Sequence, residues 1–172
     1  TIERLAEADT VIFDKTGTLT MPEPRVVNAG DIDPIVMRLA GRLALASRHP
    51  LAMAIARQQD GLTPAEDVTE ERGQGLRAVI DGIEARLGSP AFCNVEVDDS
   101  LAARHPGASM VAFRYGKTAV VFAVHQALRP QAEQTLQSLR ELGFDIHILS
   151  GDRAAAVEPI ANTLGVKQWS AA

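Results

Sequence analysis

The sequence predicts an α/β protein in which parallel strand–helix pieces from both ends of the chain enclose an inserted part built of helices and an antiparallel sheet. Three observations predict it. A short apolar strand, Ala8–Phe13, ends abruptly in the hydrophilic stretch Asp14-Lys15-Thr16-Gly17-Thr18-Leu19-Thr20. Near the other end, a helical pattern, a buried-type strand and a second helix follow one another, the alternation of parallel α/β units. Between them lie roughly a hundred residues with helical period first and paired strands afterwards.

The elements follow in order. Met21-Pro22-Glu23-Pro24 is a connector, because two prolines so close favour extended backbone. From Asp33 to Gln59 the period is helical, with Ile35, Leu39, Leu43 and Ala46 on one face. Asp33-Pro34 is a helix start, an N-cap followed by proline at the first helical position, and Pro50 divides the region in two. Strands are expected at Val68–Glu70, Leu76–Ile80 and Ile83–Leu87, with Asp81-Gly82 as a hairpin turn. Ser109–Arg114 and Lys117–Val124 form a further pair around Tyr115-Gly116. After Pro130 an amphipathic helix carries Ala132, Leu136, Leu139 and Leu142, and Gly143 stops it. Phe144–Leu149 is a strand, Ser150-Gly151-Asp152 a turn and Ala154–Leu164 a helix.

Composition narrows the function classes. The chain has 172 residues, 46% of them hydrophobic, enough for a sizeable core. A formal charge of -5 with no Lys/Arg block argues against nucleic acid as a partner. A single cysteine, Cys93, excludes an internal disulfide framework and suits a reducing cytosol. Its longest apolar run, Ala119–Val124, is far short of the roughly 20 residues that span a bilayer. No signal-peptide core opens the sequence. These observations lead us to expect a soluble cytosolic piece.

In a parallel sheet, chemistry sits outside the carboxyl ends of the strands. Asp14 follows one such strand, and Ser150-Gly151-Asp152 follows the other, so the two turns can meet in one crevice. A carboxylate there can attack a phosphoryl group and form an acyl phosphate. Lys15 and the backbone amides of a glycine-containing turn can hold phosphate oxygens. Mg²⁺ is expected between carboxylate and phosphate. Read singly, Asp14 could be a turn cap, the histidine before Pro50 a solvated helix start, and Gly73-Gln74-Gly75 a plain bulge.

Taken together, these stretches resemble a known family. Asp14-Lys15-Thr16-Gly17-Thr18-Leu19-Thr20 resembles the phosphorylation motif of P-type cation-transporting ATPases, within the haloacid dehalogenase-like superfamily. Leu149-Ser150-Gly151-Asp152 resembles the (T/S)GD motif of the same domain. Ser47-Arg48-His49-Pro50 resembles the SxHP motif of the heavy-metal branch, and Gly73-Gln74-Gly75-Leu76 its GxG motif. The resemblance implies a partial haloacid dehalogenase-like, Rossmann-type phosphorylation domain over residues 1–22 and 126–172, with a nucleotide-binding domain at 23–125. It implies Asp14, Lys15, Thr16, Thr18, Ser150, Gly151 and Asp152 as the catalytic group, with Asp14 and Thr16 as Mg²⁺ ligands. His49 and Pro50, with Gly73, Gly75 and Leu76, would contact ATP, as would Gly88-Ser89, which stands where the family has a Gly-Asn pair.

Superfamily phosphatases carry a second aspartate two residues after the nucleophile, a general acid and base. Here that residue is Thr16, which cannot play the part near neutral pH. The resemblance therefore implies a phosphoenzyme that persists, as a pump requires. The alternatives are a nucleotide-binding or regulatory module without phosphorylation, and a superfamily phosphatase. Two other motifs fail on context. Gly73-Gln74-Gly75-Leu76-Arg77-Ala78 fits a dinucleotide fingerprint but precedes a strand, and Gly116-Lys117-Thr118 lacks the first glycine of a P-loop.

Departures from the family pattern are Ala44 and Ser89, with Arg48 before the histidine and Gln126 in the hinge stretch Gln126-Ala127-Leu128-Arg129-Pro130. They predict weaker adenine contacts. The Ser-Arg-His-Pro variant resembles pumps that supply copper for haem–copper oxidase assembly, which makes copper(I) the expected ion, ahead of zinc. The resemblance also implies that the chain is one segment of an integral membrane protein, on the cytosolic face. The transmembrane metal-binding helices, the actuator domain and a later Mg²⁺-binding motif would lie elsewhere. Such a segment is expected to bind nucleotide with little turnover, and an incomplete sheet with apolar edges favours association between copies.

Overall fold

The computed structural model describes residues 8–21 and 23–171; Pro22 of the expected connector, the first seven residues and Ala172 lie outside the described residues. The chain divides into two compact units. One is formed by both ends of the described chain, up to Met21 and from Ala127, and the other by Glu23–Gln126. Gln126, which the sequence groups with the end unit, falls in the central one.

The end unit holds a three-stranded parallel sheet. Strand β1 (Thr10–Asp14) pairs with β8 (Asp145–Leu149), which pairs with β9 (Gln168–Ser170), in the order β1-β8-β9. Two helices, α4 (Ala132–Glu141) and α5 (Ala154–Thr163), connect into and out of β8. Leu136, Ile146, Ile148, Val157, Ile160 and Leu164 form its core. Alternation along a strand sends successive side chains to opposite faces. Ile146 and Ile148 are accordingly buried against the helices, while Ile12 and Leu149 stay 62% and 54% exposed. Strand β9 is not evident from the sequence, since three residues carry no period of their own. It exists because its backbone pairs with β8, Ile148 opposite Trp169.

The central unit is a six-stranded antiparallel sheet, β2-β7-β6-β5-β4-β3. Its strands are β2 (Arg25–Val26), β3 (Thr69–Glu71), β4 (Gly75–Ile80), β5 (Ile83–Gly88), β6 (Ser109–Tyr115) and β7 (Thr118–His125). Helices α1 (Pro34–Ala44) and α2 (Pro50–Ala56) cover one face, and Leu43, Ile55, Leu87, Phe113, Phe122 and Val124 are buried between. A short helix, α3 (Asp99–Arg104), shields Met110 and Ala123 on the other face through Leu101. Asp33 starts α1 as its Asp-Pro pair predicts, accepting from the Ile35 and Val36 amides at 2.8 and 3.3 Å. In the β4–β5 hairpin both Asp81 and Gly82 have positive φ, 52° and 77°, the backbone that a type I′ turn requires. Cys93 is fully buried, donates to the Ala112 carbonyl at 3.3 Å, and burial pushes its thiol up to about 11. It therefore stays protonated at neutral pH and offers no thiolate.

The pairing of Gly75 with Gly88 fixes the geometry of the β4–β5 ladder. A Cβ on Gly88 would lie 2.1 Å from the Gln74 carbonyl oxygen and 2.6 Å from the Gly75 Cα. A Cβ on Gly75 would lie 2.3 Å from the Leu87 carbonyl oxygen. These obstacles are backbone and cannot rotate aside, so a methyl group must push the strands apart. Gly88→Ala is expected to destabilise the chain by about 3 kcal/mol, the upper range for overpacking. Gly30→Ala, which meets nothing within 4 Å, should cost under about 0.5 kcal/mol. Urea unfolding of the two variants checks this, and equal midpoints would refute it.

Candidate functional site: two strand-end turns and a facing glycine pair

The parallel register of β1 and β8 sets Asp14 directly opposite Leu149. Each strand ends there, so the turn after Asp14 and the turn Ser150-Gly151-Asp152 leave the same edge of the sheet. Asp14 closes β1 itself, one residue beyond the strand expected from sequence, and its side chain is exposed. A carboxylate so placed has its oxygens in solvent while its backbone is held by the ladder.

Lys15 behaves otherwise. It is fully buried, and its ammonium forms an ion pair with the Asp152 carboxylate. The two sequence motifs, far apart along the chain, are thus joined through their charged side chains. A buried ammonium needs such a partner, since desolvating an unpaired charge is strongly unfavourable. Ser150 is buried too, and its hydroxyl accepts from the Asp152 amide at 3.1 Å, holding that turn closed.

After Lys15 the backbone leaves helical geometry, with Thr16 extended (φ -76°, ψ 117°) and Gly17 left-handed (φ 78°). Only glycine takes the latter conformation without strain. Thr20, fully buried, accepts from the Gly17 amide at 3.0 Å and donates to the Lys15 carbonyl at 3.3 Å. Thr18 is exposed. The turn is gripped from outside by Arg129, whose guanidinium donates to the Thr18 carbonyl at 2.8 Å and the Gly17 carbonyl at 2.9 Å. Sequence reasoning missed Arg129 as a site residue; the available signal was its place in the hinge stretch before Pro130.

In the central unit, His49 caps α2: its Nδ1 accepts from the Leu51 amide at 3.3 Å, and the ring is exposed. A neutral ring in this arrangement carries its proton on Nε2 and presents it as a donor. Ser47, buried, accepts from the His49 amide at 3.1 Å and so sets the turn into Pro50. Gly73 has φ 73° and open space around it, while Gly75 and Gly88 face each other across the ladder. Leu76 is buried in the core. The Ser89 hydroxyl accepts from the Phe92 amide at 3.2 Å, closing the loop after β5. Ala44 is fully buried within the core of this unit. Among the described residues no group of three or more His, Cys, Asp or Glu gathers to hold a metal, and no helix is long and apolar enough to cross a membrane.

A family model described as haloacid dehalogenase-like hydrolase matches residues 8–172. The chain is 48% identical over 171 residues to the nitrogen fixation protein FixI of Bradyrhizobium diazoefficiens, covering 99% of this chain and 23% of that protein. It is 34% identical to a copper-exporting P-type ATPase of Vibrio cholerae, covering 97% of this chain and 20% of that one. The chain thus spans less than a quarter of the length of these curated relatives. Among solved structures, the catalytic domain of the CPx-ATPase CopB-B superposes with a TM-score of 0.78 at 25% identity, covering 99% of this chain and 63% of that chain. A zinc-transporting PIB-type ATPase superposes with a TM-score of 0.55 at 28% identity, over 95% of this chain and 29% of that one. The α/β class predicted from the sequence holds, and the chain belongs to the haloacid dehalogenase-like hydrolases, with heavy-metal P-type ATPases as its homologues.

Proposed function

We propose that this chain is the ATP-binding and phosphorylation region of a heavy-metal-translocating P-type ATPase, with copper(I) as the transported ion and Asp14 as the phosphate acceptor. The observation that carries the reading is the meeting of the two strand-end turns: an exposed carboxylate on Asp14, with the neighbouring Lys15 buried against Asp152. An Asp14 oxygen attacks the γ-phosphorus of ATP. The bridging P–O bond breaks, its electron pair leaves with ADP, and a mixed anhydride forms on Asp14. Lys15 acts through Asp152, fixing the second turn beside the first, while the Thr18 amide faces the transferred phosphate.

Asp14 and the Thr16 carbonyl oxygen would hold Mg²⁺, which takes one or two protein oxygens and completes its shell with phosphate and water. When bound, it offsets the charge between carboxylate and phosphate. Phosphorylation itself is tested by acid quenching after incubation of the full-length protein with γ-labelled ATP and Mg²⁺. Acid-stable, hydroxylamine-labile label mapping to the peptide that contains Asp14 is expected. Retained ATP binding with no label would favour a regulatory module instead.

Nucleotide is placed at the His49 end of α2, where Nε2–H is the exposed donor, with Gly73 and the loop after β5 bordering the triphosphate. Because His49 also caps α2, its two roles separate by substitution. His49→Asn keeps a capping acceptor and should leave the folding midpoint in place while weakening ATP binding about tenfold. His49→Ala should show the same loss and a further cost of about 1 kcal/mol in stability. Isothermal titration with ATP and urea unfolding read the two effects; full ATP affinity in His49→Asn would remove the ring from the site.

Several relatives are copper-transporting or copper-exporting ATPases by name, which supports copper(I) as the cargo here. Partner regions of the same protein would be its membrane helices and actuator domain, and the chain would lie on the cytosolic side.

A further inference from the structure

Arg129 makes three hydrogen bonds to a single turn. Its backbone amide donates to the Leu19 carbonyl at 2.9 Å, and its guanidinium reaches the two preceding carbonyls, of Thr18 and Gly17. Around it, Met21 donates to the Ala127 carbonyl at 2.7 Å and Thr20 bridges Leu128 in antiparallel sense. The stretch through which the chain re-enters the end unit is therefore laced to the stretch through which it leaves.

Peptide groups are planar and trans, so a carbonyl and the following N–H point in opposite directions. With the Gly17 and Thr18 carbonyls aimed at Arg129, the Thr18 amide points to the other side of the turn, while the Leu19 amide belongs to the i→i+5 pairing of the π turn Lys15–Leu19. A cationic donor on a carbonyl also polarises the peptide and strengthens the N–H opposite. Gly17, at φ 78°, has no side chain to oppose rotation of these peptides; Thr20 ties the turn at the Gly17 amide and the Lys15 carbonyl, and Arg129 holds the Gly17 and Thr18 carbonyls. The guanidinium fork suits the task because it meets two acceptors in one plane, which an ammonium does less well.

We propose that Arg129 is a positioning residue for phosphoryl transfer: it keeps the Gly17 and Thr18 carbonyls turned away and the Thr18 amide available to the phosphate. The inference rests on the reading of Asp14 as phosphate acceptor. Since the hydrogen bonds of Arg129 go to the Gly17, Thr18 and Leu19 carbonyls, its loss acts on the transfer step and not on ATP affinity.

The experiment uses the full-length protein with γ-labelled ATP and Mg²⁺, measuring the labelling rate at saturating ATP, the ATP Kd and the unfolding midpoint. Arg129→Gln is expected to slow labelling about tenfold or more with Kd within about twofold of wild type, the signature of lost orientation. Arg129→Lys keeps the charge but presents its donors from one nitrogen, and should restore part of the rate, leaving a deficit of about threefold. If Arg129→Gln does not fold, Arg129→Lys alone decides. Wild-type labelling in Arg129→Lys, or a loss in either variant that appears only as weaker ATP binding, overturns the proposal. A wild-type protein that takes no label removes the acceptor reading itself, and so distinguishes the two failures.

Discussion

Asp14→Asn abolishes label transfer from ATP while leaving the folded state almost untouched. The substituted amide has the same shape as the carboxylate, and Asp14 is exposed with no capping hydrogen bond from its side chain. Surface changes of this kind shift stability by under about 0.5 kcal/mol. Chemistry is another matter. A neutral amide oxygen is a far weaker nucleophile and cannot yield an acyl phosphate, so a loss of at least about 10⁴-fold is expected in the labelling rate. Buried Lys15 and Asp152 remain paired, which keeps the two turns together and the nucleotide side unaffected. Measured labelling should vanish with the unfolding midpoint unchanged and ATP bound at least as tightly, because one negative charge facing the phosphates is removed. Residual labelling at a comparable rate would mean that another residue takes the phosphate.

Local chemistry wrote part of this fold plainly into the sequence. Asp33-Pro34 and Asp81-Gly82 act within a few residues of themselves, through a cap and a turn, and the structure shows both. The hidden elements depend on distant partners. Strand β2 is two residues paired with the end of β7, and β9 exists through its register with β8. Helix α3 is six residues long, too short for period to reveal, though Asp98 caps it through the Ser100 amide at 2.8 Å.

The site divides in the same way. Asp14 drew notice because it ends an apolar strand within a stretch that resembles a known phosphorylation motif, and the structure shows it exposed at the end of β1. The burial of Lys15 was not legible, because its partner Asp152 is fixed by the tertiary fold. Nor was the reason for Gly75 and Gly88, which is the contact each makes with the other across a ladder whose register the sequence does not state. Arg129 lies more than a hundred residues from the carbonyls it holds, beyond the reach of any motif spacing.

Thr16→Asp should convert a persistent phosphoenzyme into a short-lived one. Thr16 is half-buried in extended backbone (φ -76°, ψ 117°), a conformation open to aspartate without strain. Its hydroxyl does not titrate near neutral pH and can neither take a proton from water nor return one. An aspartate two residues from the acyl phosphate introduces a general base where none stood, and such catalysis is worth about 10²–10⁴-fold. The expected result is normal or slightly slower labelling from ATP, because added negative charge near the incoming phosphate opposes binding. Release of label after a chase with unlabelled ATP should then quicken by that same factor of about 10²–10⁴. Hydrolysis of ATP without metal stimulation should rise in step, since the bond would break before any conformational change could use it. A phosphoenzyme in Thr16→Asp that lasts as long as the wild-type one would show that persistence is set elsewhere, by exclusion of water or by residues beyond this turn.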